Sequence, residues 1–540
     1  MSTVSRRSFL MSLGIGMAAM KFSEARASVK DQNAKPNIIL ILTDDQGWTN
    51  TSVPMMAGVP ESRSDFYRTP ALESMAAKGM IFSNAYSPAP VCTPTRCSIQ
   101  FGKTPAKLKN TGHYNSARKD FTNEVSIAQA LKRIDPTYAT AHFGKWGGQR
   151  PAPEGAGYDA TDGRLNNYHG DFRSLEDTRP VPRDNPKRIF SITDHACAFM
   201  EEQVQANRPF YLQLSHYAVH SQHKARQETI EKYKLLPPGQ LCTPEDYQDP
   251  PPGVNEWTLE FAAMVEDLDT GVRMVLDKLE TLGIANTTYV FFTSDNGGIF
   301  KGNAPLRGQK TQLWEGGVRV PLIVCGPGIE PSSRCDEPVA GWDFLPTFVD
   351  LAGGNTSDFP KGLDGGSLRP LLQGTGEVQR PHEGLMFHFP SYDCPQSAIR
   401  LGEYKFLIDW ETEEGYLFNL AEDLGESRNL VTELPEKAAE LRRKLMGYLA
   451  EVGAEKPEDL HLERIQELTA QKQRLNIERR EVLYSDDPAA RDKWRDSQYR
   501  LRFIEDTLAH EQERLVRINA LRKQGRIKQS ATGGDRGGKK

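Results

Sequence analysis

The chain of 540 residues contains no uninterrupted run of about 20 apolar residues, the length a membrane-spanning helix needs, so no membrane is expected to hold it. Neither sign of charge dominates. With 67 basic and 72 acidic residues the net charge is −5, so no global field recruits nucleic acid and any anion-binding site must be local. Cysteine is scarce and odd in number, seven in all, at positions 92, 97, 197, 242, 325, 335 and 394. That excludes a fully paired disulfide framework and leaves at least one thiol free or modified. Cys92 and Cys97 are five apart, so a C-x-x-C redox or zinc pair is absent there. The length suggests two to four structural units at roughly 150 residues each.

The first residues read as an address. Ser5-Arg6-Arg7-Ser8-Phe9-Leu10 precedes a short apolar stretch, Met11 to Met20, and then a small-x-small cleavage site, Ala25-Arg26-Ala27. The paired arginines resemble a twin-arginine export signal, with an ordinary secretory signal as the alternative. Residues 1–27 are therefore expected to be removed, giving a periplasmic or secreted protein that begins near Ser28.

Two later runs share one design. Pro36 to Leu42 is continuously apolar and β-branched after its first two residues, the pattern of a strand buried on both faces, and it ends in Thr43-Asp44-Asp45-Gln46-Gly47. Thr288 to Thr293 is a similar run ending in Ser294-Asp295-Asn296-Gly297-Gly298. Open α/β sheets bind ligands at the C-terminal ends of their strands. If the two strands are neighbours, Asp44, Asp45, Asp295 and Asn296 offer only oxygen, the preference of a hard divalent cation, with calcium fitting better than magnesium or zinc. Solvated turns are the structural alternative for each pair.

Between these strands lies Cys92-Thr93-Pro94-Thr95-Arg96-Cys97-Ser98-Ile99-Gln100-Phe101-Gly102-Lys103. Pro94 suits the first turn of a helix, which places Cys92 near a helix N-terminus, where backbone N–H groups favour an anion. Arg96 and Lys103 would add positive charge for a tetrahedral oxyanion. A buried structural cysteine is the plain alternative. Further strand-like runs end in Gly144-Lys145-Trp146-Gly147-Gly148 and in His216-Tyr217-Ala218-Val219-His220, and a glycine-rich segment carries Arg307, Lys310, Glu315 and Arg319.

The Cys92 stretch resembles the sulfatase signature, with Phe101 in place of its usual Thr, and the other clusters follow in the family's order. The resemblance covers residues 36 to about 450. It implies an alkaline-phosphatase-like α/β/α sandwich with a large mixed sheet. It also implies conversion of Cys92 to formylglycine (3-oxoalanine) by a dedicated maturation enzyme, and one Ca2+ held by Asp44, Asp45, Asp295, Asn296 and the modified Cys92. Arg96, Lys145, His220 and Lys310 are carried over as catalytic residues, and Lys103, Lys145, His220 and Lys310 as substrate-binding ones. The expected reaction is hydrolysis of sulfate esters, with sulfated saccharides as the substrate class. One departure is serious: Gly147 stands where the family has a histidine, and His142 and His223 are the candidates to replace it. A phosphodiesterase or phosphonate monoester hydrolase of the same superfamily, or a catalytically silent carbohydrate-binding relative, are the alternatives.

The expected organisation is a catalytic domain over 36–375, a small antiparallel α+β subdomain over 380–455, a helical hairpin over 456–524 and a disordered basic tail over 525–540. Leu468, Leu475 and Val482, and Trp494, Leu501, Leu508 and Leu515, recur at seven-residue spacing as two hairpin seams. The hairpin either packs on its own domain or joins copies into a homo-oligomer. His388 to Tyr392 reads as a sugar subsite or as aromatic core.

Overall fold

The apolar run Asn37–Thr43 forms strand β1, buried along its whole length. Ile38, Leu40 and Leu42 face one hydrophobic layer while Ile39 and Ile41 face another, so the strand is covered on both sides. This is a computed structural model, and it describes residues 35–112, 119–170, 184–237, 239, 255–299, 303–391, 394–483 and 490–523. The expected export leader, the basic tail, Cys242 and the Ser485–Pro488 turn lie outside the described residues.

The other strands of the main sheet are β2 (Met80–Phe82), β4 (Ala139–Gly144), β5 (Ala160–Thr161), β6 (Phe210–Ser215), β7 (Thr288–Ser294), β8 (Leu322–Cys325) and β9 (Ser333–Cys335); β3 (Ala85–Tyr86) and β10 (Val339–Ala340) pair separately. The sheet order is β5-β4-β6-β1-β7-β8-β2-β9. β4, β6, β1 and β7 are mutually parallel neighbours, whereas β8 runs antiparallel to β7 and β2, making the sheet mixed as expected. Helices α1 (Pro70–Lys78), α4 (Ile189–Gln205) and α5 (Asn255–Thr281) pack on one face, and α3 (Ile127–Ile134) and α6 (Phe344–Leu351) on the other. The fold class is therefore α/β, with the sheet between two helical layers. Local chemistry sets the helix ends: α3 starts in a reciprocal capping box of Ser126 and Gln129, and α1 starts at Pro70 with Thr69 before it.

Four strands, β11 (Leu385–Phe389), β12 (Gln396–Leu401), β13 (Tyr404–Asp409) and β14 (Gly415–Asn419), form a second, antiparallel sheet. Helix α7 (Pro435–Glu451) covers one face through Leu441, Leu445 and Tyr448; the other face packs Phe387, Leu407 and Phe418 against Trp314 and Trp342 of the main domain. His388 belongs to this core. Its ring nitrogens lie 2.6 Å from Ser397 Oγ and 2.7 Å from the Glu455 carbonyl, and Phe389 is fully buried, so these two residues are packing and not subsite. The C-terminal hairpin consists of α8 (Pro457–Leu483) and α9 (Ala490–Lys523), with Leu468, Leu475 and Ile504 buried between them and Leu501 and Leu508 partly so. Among the described residues, no helix is long and apolar enough to cross a membrane.

A buried ionic network ties the two sheets together. Glu315 contacts Lys405 Nζ at 2.9 Å and Arg319 Nη1 at 3.1 Å and accepts from Tyr86 Oη at 2.9 Å, while Glu426 meets the same Lys405 at 2.9 Å. Burial opposes ionisation of Glu315, but Lys405 and Arg319 outweigh it and hold its carboxyl down at about 2; burial and the nearby Glu315 push Glu426 up to about 7. Relative to the ordinary value of 4.5, the Glu315 contribution to stability is complete above pH 4.5 and is lost as pH falls toward 2. The Glu426 contribution is complete below pH 4.5 and is lost as pH rises through about 7. Denaturant unfolding should therefore show a loss of stability between pH 4.5 and 7 that Glu426→Gln removes. Lys405→Met, which strands both carboxylates, is expected to cost about 3–5 kcal/mol in the same measurement.

Candidate active site

The register of the parallel strands builds the site. Thr43 of β1 pairs with Ser294 of β7, Leu42 with Ser215 of β6, and Ser215 with Gly144 of β4, so all four strands end at one edge. The next residues are Asp44 and Asp45, Asp295 and Asn296, the loop to His220, and Lys145. The strands carrying the two acidic pairs are thus immediate neighbours.

The side chains meet in a buried cluster. Asp44, Asp45, Asp295 and Asn296 are all fully buried. Lys145 Nζ lies 2.5 Å from Asp44 Oδ2, and Lys310 Nζ lies 2.7 Å from Asp45 Oδ1 and 2.8 Å from its Oδ2. Arg96 donates through Nε to Asp295 Oδ2 at 2.8 Å and through Nη1 to the Lys145 carbonyl at 2.7 Å. Asn296 Nδ2 donates to Asp45 Oδ1 at 2.8 Å, and the Asp45 N–H to Asp295 Oδ1 at 3.2 Å. Asp45 takes φ +61°, a left-handed conformation rare for a residue with a side chain, which costs on the order of 1–3 kcal/mol and is commonest at functional sites.

Cys92 begins helix α2 (Cys92–Phe101), as its spacing from Pro94 predicts, and is buried. Arg96, Lys145 and Lys310 all lie within electrostatic reach of Cys92. Burial alone would raise the Asp44 and Asp45 carboxyls. Lys145 and His220 outweigh it at Asp44, and Lys310 and His220 at Asp45, so both sit below the usual range. Asp295 stays above it because burial and Asp44 prevail over Arg96. His220 Nε2 faces Asp45 Oδ2 at 3.6 Å, and its Nδ1 lies 2.6 Å from the Ser221 carbonyl.

Three buried carboxylates and an amide, without sulfur or a required imidazole, suit a hard cation. Asp44 Oδ1 and Asn296 Oδ1 are buried with no hydrogen-bond partner, and Asp44, Asp45 and His220 present ligand atoms within 4.8 Å of one another. Orphaned oxygens of this kind are costly unless something positive meets them. The donor set therefore fits a divalent ion.

Lys103 is not brought to this cluster. It follows Gly102, the left-handed cap of α2, at the opposite end of a ten-residue helix and so roughly 15 Å along its axis from Cys92. There it pairs with Glu124 at 2.5 Å. Gly147 has φ +114°, and a Cβ there would lie 2.5 Å from Gln149 Oε1, so the local backbone excludes a histidine without rearrangement. His142 does not take its place: its Nε2 is 3.1 Å from Ser215 Oγ and its ring packs on Trp146 and Tyr158. His223 packs against Phe261 and lies within electrostatic reach of Asp45 and His220.

Two residues escape sequence reasoning. Asn167, the first residue of a single 3-10 turn (Asn167–His169) without periodic pattern, places Nδ2 3.3 Å from His220 Nε2. Asn303 directs Nδ2 at the carbonyls of Gly298, Gly308 and Gly316, each at 3.1 Å, shaping the segment that carries Lys310. A lone Asn among glycines is the only signal at position 303.

Residues 36–354 match the family model described as Sulfatase, and residues 309–455 the model described as N-sulphoglucosamine sulphohydrolase, C-terminal. The chain is 30% identical over 514 residues to a protein of Formosa agariphila named Sulfatase, an alignment covering 78% of this chain and 90% of that one. It is 27% identical over 461 residues to an ulvan-active sulfatase of the same organism, covering 81% and 85%. In three dimensions it is similar to Ps i-CgsB, solved in complex with k-i-k-neocarrahexaose, with a TM-score of 0.62 at 22% identity over 78% of this chain and 94% of that one.

Removing Arg96 would leave Asp295 buried beside Asp44 without its hydrogen-bonded cation. Arg96→Ala is expected to lower unfolding stability by about 3–5 kcal/mol, read by denaturant titration.

Proposed function

The chain belongs to the sulfatase family and is a sulfuric ester hydrolase, and from that premise we propose that it is an exported enzyme removing sulfate from sulfated saccharides, through a formylglycine made from Cys92 and one Ca2+. The observation that carries this reading is the meeting of three cations, three carboxylates and Asn296 at the ends of four adjacent parallel strands, within electrostatic reach of Cys92 at a helix start. Export rests on the leader sequence, and the saccharide class is supported by the ulvan-active relative.

Hydrolysis of a sulfate ester needs a nucleophile in line with sulfur, positive charge on the sulfonate oxygens and a proton for the departing alcohol. A formylglycine at position 92 would supply an oxygen nucleophile, and a calcium ion held by Asp44, Asp45, Asp295 and Asn296 would supply fixed positive charge beside it. Arg96 is locked by Asp295 and the Lys145 carbonyl, so its charge is preorganised. Lys145 and Lys310, which rest on Asp44 and Asp45, are the ammonium groups that meet the sulfonate oxygens. His220 is the proton donor to the leaving alcohol in its doubly protonated form: the Ser221 carbonyl accepts from Nδ1–H, and Nε2, facing Asp45, carries the proton that is passed, leaving the neutral imidazole. Burial makes this imidazole a stronger acid than usual, against the pull of Asp45 and Asp44. Asn167 holds the ring from the other side.

Mass spectrometry of the Cys92 peptide, from protein co-expressed with a maturation enzyme, is expected to show the aldehyde in place of the thiol. An unmodified thiol together with no sulfate release would favour the catalytically silent alternative. Comparison of kcat/KM for matched sulfate and phosphate esters is expected to favour sulfate, and a preference for phosphorus overturns the assignment. His220→Ala should lower kcat by about 10²–10⁴ on substrates with poor leaving groups and much less on activated aryl sulfates. Calcium titration should raise the thermal midpoint, by an amount that Asp45→Asn and Asn296→Ala reduce. At a calcium concentration a hundred times Kd the stabilisation is about 2.7 kcal/mol.

A further inference from the structure

The helical hairpin takes no part in the site described above, yet one of its faces is organised along its length. On α8, Arg464, Glu467, Gln471, Arg474 and Glu478 follow one another at three- and four-residue spacing, and on α9 so do Arg500, Phe503, Thr507, Glu511 and Arg514, so each set lines one side of its helix. Near the root of the hairpin this face is covered. Arg464 and Glu467 are only about a tenth exposed, and Arg514 reaches Glu411, beyond β13, at 2.8 Å. Toward the tip the same face opens into a groove of about 360 Å3, lined by Gln471, Arg474, Leu475, Glu478, Arg500, Phe503 and Ile504. Its floor is the hairpin seam, Leu475 and Ile504, and Phe503 stands on it 60% exposed. Large aromatic side chains in such positions are typical anchors of protein interfaces.

We infer that this outer groove docks a second copy of the chain, hairpin against hairpin, across a twofold axis. Two features choose this occupant. The rim carries both signs, so a twofold axis near Leu475 sets Glu478 of one copy against Arg474 of the other, and the reverse, while the two Phe503 rings meet at the centre. The groove also continues the interface that the hairpin makes with its own C-terminal subdomain, so the second copy extends a surface already shaped for protein contact. A sulfated polymer is the other occupant to consider. Glu478 opposes it, and residues 457–523 hold equal numbers of basic and acidic side chains, leaving no net field for a polyanion.

Sedimentation velocity of the full mature chain at micromolar concentrations tests the inference. The wild type is expected to sediment as a dimer, and Phe503→Glu as a monomer with an unchanged thermal midpoint and unchanged sulfate release. Arg474→Glu and Glu478→Arg are each expected to give monomers, and the double variant Arg474→Glu, Glu478→Arg to restore the dimer. A wild type that stays monomeric throughout, or a Phe503→Glu variant that stays dimeric, overturns it. Retention of a monomeric wild type on immobilised heparin, lost in Arg474→Glu, also overturns it, in favour of the polymer.

Discussion

The architecture depends on neutralising three carboxylates that the sheet forces into one buried cluster. Asp44, Asp45 and Asp295 are fully buried because β1 and β7 are adjacent and in register to their last residues, Thr43 and Ser294. An unpaired charge at such depth is far too costly to tolerate, so each carboxylate must find a cation. Arg96, Lys145 and Lys310 provide them, and they arrive on three separate segments: helix α2, the end of β4 and the loop before β8. The electrostatic demand of the acids is thus what gathers the positive charge that an anionic ester needs.

That demand reaches beyond the main sheet. The segment carrying Lys310 runs on into Glu315, which is held by Lys405 from β13, by Tyr86 and by Arg319. Arg307 stacks its guanidinium on Trp314, 3.8 Å from the ring centroid, and donates to the Glu426 carbonyl. The antiparallel sheet is therefore a brace for the loop that delivers one of the three cations. Asn303 completes the brace from inside the loop by serving three of its carbonyls.

Much of the site was legible because its parts lie on strands with strong signals. Apolar runs ending in Asp-Asp and Asp-Asn mark buried strands with ligands at their C-terminal ends, and Pro94 two residues after Cys92 marks a helix start. Lys103 misled for a geometric reason: it belongs to the same short motif as Cys92, but helical rise carries it to the far end of α2, where Glu124 takes its charge. Gly147 was visible as a departure, and its cause was not. The left-handed backbone at that position and the carboxamide of Gln149 against it are set by the turn after β4. Asn167 carries no pattern, since a residue of one short turn that contacts a histidine is defined only by where the turn lies. In the hairpin, the seven-residue spacing located Leu468 and Leu475, while Ile504, one turn from Leu501, is the residue of the second helix that is buried against them, because both seam positions of a heptad face the partner.

By itself the sequence determined the element types, the identity of the acids and cations and the place of Cys92, and their order along the chain, because hydrophobic period, capping residues and short motifs are local properties. Only the tertiary structure decided which of them meet. Parallel strands are joined by long crossovers, so neighbours in the sheet are remote in sequence, and the order β4-β6-β1-β7 follows from packing two helical layers on the sheet. That order brings Lys145 to Asp44, Lys310 to Asp45 and Arg96 to Asp295, and leaves Lys103 outside.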